Sequence, residues 1–430
     1  MTTNILDINL LRRLIHGSLT LIVSNLSGAA LGFVLSLVLG RGLGEVGFGR
    51  WTFCLAWASA LTMLSQFGLN TLVTRDAARD KGRANQFLIG GLVAQVLFSL
   101  LLGSVLLFAP NLGFDSESSA GLRATLLLIV AGAAYSSFAA LFRAFEWMLP
   151  ILWLNISGLL LQLLWSIRVL RSGGEVLELI MVAGEVQLIQ LLLALGGWWF
   201  KLRPIAGPLR IEPHTVRQMV RQSLPFAVAG LVGALQMRSS PLLLGYLRGA
   251  AEVGWFGAAA RFSESAKLIP NGISGAVFPA LAASGNLAAG REASANLFRM
   301  FNRVLVVTAL AAAIGLSLFS RGLLGLTYGP DFLQAAWPLV WLALGLIPNL
   351  INSGLELYLY ANGDEVYVTW LGVVGAIIQV IVGLPLIFLF GASGAAIAMG
   401  LGEAAIWFPL RRRMKIIQVK IIQDKCGERP

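Results

Sequence analysis

The stretch Val38–Phe53 reads VLGRGLGEVGFGRWTF, and Gly42, Gly44 and Gly47 in it fit G-x-G-x-x-G. That is the spacing by which a glycine-rich turn and a helix N-terminus hold a dinucleotide pyrophosphate. The flanks exclude this reading. An apolar run of about 26 residues precedes the motif where a short strand is required, and no Asp or Glu lies between Glu45 and Asp76, so the ribose-binding acid expected ~20 residues on is missing. A second copy decides the matter. RGAAEVGWFGAA, starting at Arg248, places Glu252-Val253-Gly254 on Glu45-Val46-Gly47, an offset of 207 residues, and has Ala251 where the first copy has Gly44. What the two copies share is a turn between apolar runs, glycine being the residue that reverses a chain without steric cost.

The repeat continues. DKGRANQF (Asp80 to Phe87) answers AAGREASANLF (Ala288 to Phe298), and AGEV (Ala183 to Val186) answers LGEA (Leu401 to Ala404), in the same order. The 430 residues are 57% hydrophobic and 12% charged, against roughly 45–50% and about 25% in an average soluble protein. Apolar runs near the ~20 residues that cross a bilayer recur along the chain, as at Leu88–Ala109 and Val366–Phe390. The composition implies an all-α polytopic membrane protein of about 12 spans, and the duplication arranges them as two six-helix repeats, residues 1–205 and 206–430, joined through the polar link Lys201–Gln222. Six spans is an even number, so both halves enter the membrane from the same side and the repeat is parallel, with its pseudo-two-fold axis along the membrane normal. Two bundles facing each other across such an axis suit rocking about a central cavity.

Orientation follows from Lys and Arg. With the N-terminus inside, 22 of the 32 basic residues fall on inner segments and seven on outer loops, which places both termini in the cytoplasm. The formal charge of +11 therefore sets topology and meets anionic headgroups; nucleic acid is not an expected partner. RRRMKIIQVKIIQDK (Arg411 to Lys425) interleaves apolar and basic residues and reads as a membrane-surface helix. Trp51 and Trp198, near predicted span ends, read as interfacial anchors. Cys54, Cys426, His16 and His214 form no cluster, so no metal site, cofactor or catalytic constellation is expected.

Charges inside spans cost ~2.5–3.5 kcal/mol each even on the insertion scale, so they usually face a cavity or a partner. The candidates are Glu185, Arg238, Arg261, Glu264, Lys267, Glu356 and Glu403, with Glu356 close enough to a span end to read as interfacial. Arg261, Glu264 and Lys267 follow one another at i+3 and form a ladder on one side of span eight. Together with Arg238 they make a cationic set whose guanidinium forks suit phosphate oxygens. The alternative is that they pair with each other or with Glu185 and Glu403 to hold the bundle. In the first half the matching positions are Leu31, Cys54, Trp57 and Ala60, so this charge belongs to one bundle. Glu185 and Glu403, at equivalent positions and each preceded by glycine, are candidates for ion coupling or for plain hydrogen bonding between helices.

The sequence resembles the polysaccharide transporter, or oligosaccharide flippase, family of the multidrug/oligosaccharidyl-lipid/polysaccharide (MOP) exporter superfamily. The resemblance rests on LGRGLGEVGFGRWTF, FGLNTLVTRDAARD, LFRAFEWM (Leu141 to Met148), AEVGWFGAAARFSE with IPNGISGAVFPAL, and YLYANGDE, in that order over almost the whole chain. It implies rocking bundles that move undecaprenyl-diphosphate-linked oligosaccharide from the inner to the outer leaflet of the bacterial cytoplasmic membrane. It also implies that Arg261 helps bind diphosphate or an acidic sugar, and that the partners are the lipid-linked substrate, membrane lipids, and polysaccharide polymerase and assembly proteins. Arg50 departs from the family pattern, standing where a smaller or apolar residue is usual, and either extends a cationic path towards the outer exit or meets outer headgroups. The rival expectations are a cation-coupled multidrug or metabolite exporter of the same superfamily, which favours aromatics and an acidic site, and an integral-membrane glycan polymerase or glycosyltransferase, which needs residue clusters at a membrane face that the short outer loops lack.

Overall fold

The computed structural model describes residues 3–112, 115–209, 213–268, 270, 272–274, 277 and 290–427. Their contacts divide the chain into two units, Met1–Arg238 and Ser239–Pro430. The first contains α1 (Thr3–Gln66), α2 (Leu69–Arg79), α3 (Ala84–Gly103), α4 (Ser116–Ala144), α5 (Met148–Arg171), α6 (Val176–Gly197) and most of α7 (Pro213–Leu247). The second takes the end of α7 and continues with α8 (Ala250–Ala266), α9 (Gly290–Thr327), α10 (Ala336–Ala361) and α11 (Glu365–Gly427). The division falls inside α7.

α1 and α11, at 64 and 63 residues, are each too long for one crossing, since ~20 residues suffice. Each is broken at a glycine, Gly44 (φ 67°, ψ −178°) and Gly391 (φ 55°, ψ −131°), and so supplies two passes. Eight helices are long and apolar enough to span a membrane, these two among them, and Val216–Leu247 is a ninth. Counting both passes of each broken helix, the described residues carry up to eleven such crossings, and the protein is an all-helical polytopic membrane protein.

The turn that exposed the repeat is visible in the backbone. Gly249, the residue before α8, has φ 91° and ψ −177°, the same conformation as Gly44. This corner of φ/ψ space is essentially reserved for glycine. The two turns thus correspond with Gly44 on Gly249, whereas the Glu-Val-Gly match aligns Gly249 with Gly42. Gly42 serves packing instead, because a Cβ there would lie 2.6 Å from Leu170 Cδ1, so its bare backbone lets α5 approach α1. In the second unit Glu252 reaches across to the other break. Its carboxylate accepts the Ala392 backbone N–H at 2.7 Å, beside Gly391, and lies 3.6 Å from Arg248.

Within the first unit α4 is the most enclosed of the described spans. Its buried Ala131, Ala133, Ala134, Ala139 and Ala140 let α1, α2, α3 and α6 pack directly against it; small residues replace, as packing surface, the hydrophobic drive that lipid removes. Gln95, buried on α3, donates to Asn70 at 2.9 Å and accepts from Ser136 and Ser137 at 3.0 Å each. Asn85 ties the link after α6 to the start of α3: its side chain donates to the carbonyls of Arg203 and Gly207 and accepts from Trp198 Nε1 at 2.9 Å. Trp198 is therefore buried structure and not an interfacial anchor, and Trp51, stacked on Phe48, is buried likewise. Large apolar side chains such as Leu97, Leu101, Phe108 and Leu192 point outward, as lipid-facing positions should.

In the second unit α10 packs between α9 and α11 over a core that includes Phe298, Leu355, Leu359, Ile406 and Leu410. The basic tail is helical but is no separate element, because α11 runs through it without a break after Gly391. Arg413 anchors it, forking onto Asp364 with bonds of 2.6 and 3.1 Å.

Candidate functional site

The ladder of span eight is partly built as expected. Arg261, in the last turns of α8, places its Nη1 3.3 Å from Glu264 Oε2, and both side chains are accessible. Lys267 is not inside the helix: it is the C-cap residue, its backbone N–H bonding back to the Glu264 and Ser265 carbonyls. Helix α8 ends there, and the described residues 268, 270, 272–274 and 277 beyond it are again helical. The Lys267 side chain lies in the field of two carboxylates, Glu403 and Glu264.

Glu403 brings in two further helices. Asn349 Nδ2 donates to its Oε1 at 2.8 Å, and Asn352 Nδ2 donates to its Oε2 at 2.9 Å and to its backbone carbonyl at 2.7 Å. Glu403 also acts electrostatically on Glu356, which is only partly accessible. So α8, α10 and α11 converge on one polar cluster in a hydrocarbon-spanning unit, with Lys267 set among Glu264, Glu403 and, through it, Glu356. Sequence reasoning missed Asn349 and Asn352 and set Glu356 aside as interfacial. The signal was present: Asn349, Asn352 and Glu356 stand at i, i+3 and i+7, one face of a helix. A buried Gln379 bonded to Ser239 at 3.1 Å and Ser240 at 3.4 Å is a second missed polar contact in this unit.

Three predicted residues lie in the other unit. Arg238 is its final residue and is partly accessible. Glu185, on α6, has neither a hydrogen bond nor an ion pair among the described residues, so the two glutamates that look equivalent in sequence have unlike surroundings. Arg50 is matched by two carboxylates, Asp115 at 3.0 Å and Glu117 in closer contact, both from the start of α4. No group of three or more His, Cys, Asp or Glu side chains placed to hold a metal ion occurs among the described residues.

Arranged this way, the second unit can do two things. Arg261 has five N–H donors, of which the described residues engage one through a single long contact, leaving an edge free for a bidentate oxyanion such as a phosphate. Glu403, held by the Asn349 and Asn352 amides, offers a fixed carboxylate between α10 and α11. Residues 14–284 match the family of polysaccharide biosynthesis proteins. The chain belongs to that family. Residues 263–428, which contain the whole polar cluster, also match the family of the lipid II flippase MurJ. No curated protein matches the chain in sequence. Solved structures with the same fold include the lipid II flippase MurJ in an inward closed conformation (TM-score 0.76, 14% identity, 92% of this chain and 87% of that one). An inward-facing MATE-family multidrug transporter of the MOP superfamily is similar too (TM-score 0.71, 14% identity, 93% and 99%). So is a MOP transporter from Pyrococcus furiosus whose binding pocket has reversed polarity (TM-score 0.60, 14% identity, 94% and 96%). The chain is thus a polysaccharide biosynthesis family member with the fold that these flippase and multidrug transporter structures share.

Proposed function

We propose that this protein flips an undecaprenyl-diphosphate-linked oligosaccharide from the inner to the outer leaflet of the bacterial cytoplasmic membrane, with both termini in the cytoplasm. The six-helix halves, 1–205 and 206–430, alternate access so that the head group crosses without facing hydrocarbon while the lipid tail stays in the bilayer. One observation carries this reading. Arg261 lies eleven residues into α8, a rise of ~17 Å at ~1.5 Å per residue, and its side chain is 37% exposed with one monodentate partner among the described residues. A cation that costly is retained where an anion passes, and a diphosphate is the anion of the family's lipid carriers. Lys267 extends the binding set within the second unit, and Arg238, in the first unit, is a separate candidate for the same anion. Glu264 tunes it by sharing Arg261, and Glu403, held by two asparagine amides, is the residue of choice for ion coupling ahead of Glu185.

Deleting the gene should leave the cognate lipid-linked oligosaccharide in the inner leaflet, and wild-type protein should clear it while Arg261→Ala, present in the membrane at normal level, should not. Absence of any accumulated lipid-linked glycan would overturn the flippase reading. Clearance by Arg261→Ala at the normal rate would remove the arginine from it.

A further inference from the structure

The first unit holds a cavity of about 410 Å³ between α1, α4, α5 and α6, room for about a dozen waters at ~30 Å³ each. Its lining is unusual for a transmembrane bundle. Amide side chains converge on it from three helices: Asn25 from α1, Asn155 and Gln162 from α5, Gln187 and Gln190 from α6, with the Ser24 hydroxyl beside them. No ionisable and no aromatic side chain lines it. Asn155 and Gln162 stand seven and fourteen residues after Met148, where α5 starts, ~10–21 Å along a rise of ~1.5 Å per residue. That is bilayer depth, where a polar side chain without a partner is costly.

The amides are positioned but not used up. Gln190 donates from Nε2 to the Leu154 carbonyl at 2.8 Å, and it fits because residue 158 is glycine, where a Cβ would collide with that same amide nitrogen. Asn155 Oδ1 accepts the Tyr135 hydroxyl at 2.9 Å, which leaves its Nδ2 as donor. Gln187 Nε2 is buried and has no hydrogen-bond partner among the described residues. A cavity that offers fixed donors and acceptors without net charge does not suit diphosphate, which needs cations, nor a hydrophobic cation, which needs a carboxylate or an aromatic face. It does suit a ring of hydroxyls, each both donor and acceptor, because a planar amide can give one bond and take another.

We propose that this cavity is a sugar subsite, which takes a neutral, hydroxyl-rich unit of the lipid-linked glycan through Asn155, Gln162, Gln187 and Gln190. The inference rests on the flippase reading and adds to it a place in the first unit for the sugar.

The test is direct binding to the full chain in lipid nanodiscs of three probes: undecaprenyl diphosphate, and the same lipid carrying N-acetylglucosamine or galactose. Wild type should bind at least one sugar-bearing lipid about tenfold or more tighter than the bare one. Gln187→Met, chosen because the lost amide nitrogen has no hydrogen-bond partner among the described residues to orphan, should erase most of that preference and leave bare-lipid affinity unchanged; Gln162→Met provides a second, independent variant. Equal affinity of wild type for all three lipids overturns the sugar subsite while sparing the flippase reading. So does a preference that survives both substitutions, or one lost only together with bare-lipid binding. Failure of wild type to bind any of the three removes the flippase reading, and the subsite with it.

Discussion

The two units solve the problem of polarity at depth in opposite ways. The first unit gathers neutral amides about a cavity, and its one deep carboxylate, Glu185, has no bonded partner among the described residues. In the second, Glu403 at the matching position is clasped by Asn349 and Asn352 and lies in the field of Lys267. The turns at Gly44 and Gly249 share one backbone conformation. The buried polar residues around Glu185 and Glu403 do not correspond in this way.

The sharpest way to break this comparison is to remove a clasp. Asn352 is 1% exposed and supplies two of the three amide bonds to Glu403. Asn352→Leu should cost about 1–3 kcal/mol, since a half-buried carboxylate loses one of its two amide donors. Glu185→Gln should stay within about 0.5 kcal/mol, having no network to disturb. Thermal unfolding of both variants in detergent measures the contrast, and equal losses would show that the halves are not asymmetric in this respect.

A middle-sized effect tests what the halves retain in common. Gly44 and Gly249 both adopt φ near +70° to +90° with ψ near 180°, and a Cβ at either would meet no neighbour within 4 Å. The penalty for alanine is therefore backbone strain alone, ~1–3 kcal/mol at each. Gly44→Ala and Gly249→Ala should lower the unfolding midpoint by similar amounts. Gly42→Ala, whose neighbour is the movable end of Leu170, should do less. A large loss at Gly42 with none at Gly44 would return the motif's importance to packing and take it from the turn.

Most of the fold was legible in the sequence because spans are dictated by length and apolarity, properties that one chain displays without tertiary knowledge. The repeat was legible through Glu-Val-Gly, though the residues that match best are not those that share a backbone conformation: side-chain identity paired Gly42 with Gly249, and the geometry pairs Gly44 with it. The site was legible in part. Arg261, Glu264, Lys267 and Glu403 stood out because charge in hydrocarbon is rare. Asn349, Asn352 and the cavity amides did not, because uncharged polar residues are common in spans and which helix face meets which neighbour is a tertiary fact. Glu185 and Glu403, both after glycine in matching segments, show the limit: only the facing helix tells them apart. Trp198 misled for the same reason, a tryptophan at a span end being an anchor or a core residue according to whether a partner such as Asn85 waits for its N–H.

The smallest effect is expected at Arg50. Its side chain is 26% exposed, and its partners Asp115 and Glu117 are 48% and 57% exposed, so all three groups keep much of their hydration and salt screens them. Accessible ion pairs of this kind contribute at most ~1 kcal/mol. The two carboxylates also outweigh the one guanidinium, so the place is acidic overall and a poor stop for a diphosphate. Arg50→Gln should therefore shift stability by less than Asn352→Leu, the shift should shrink as ionic strength rises, and glycan export should stay near wild type where Arg261→Ala stops it. If Arg50→Gln instead abolished export in a protein that unfolds normally, the cationic path would have to run through both halves, and the contrast between a neutral first unit and an ionised second one would give way.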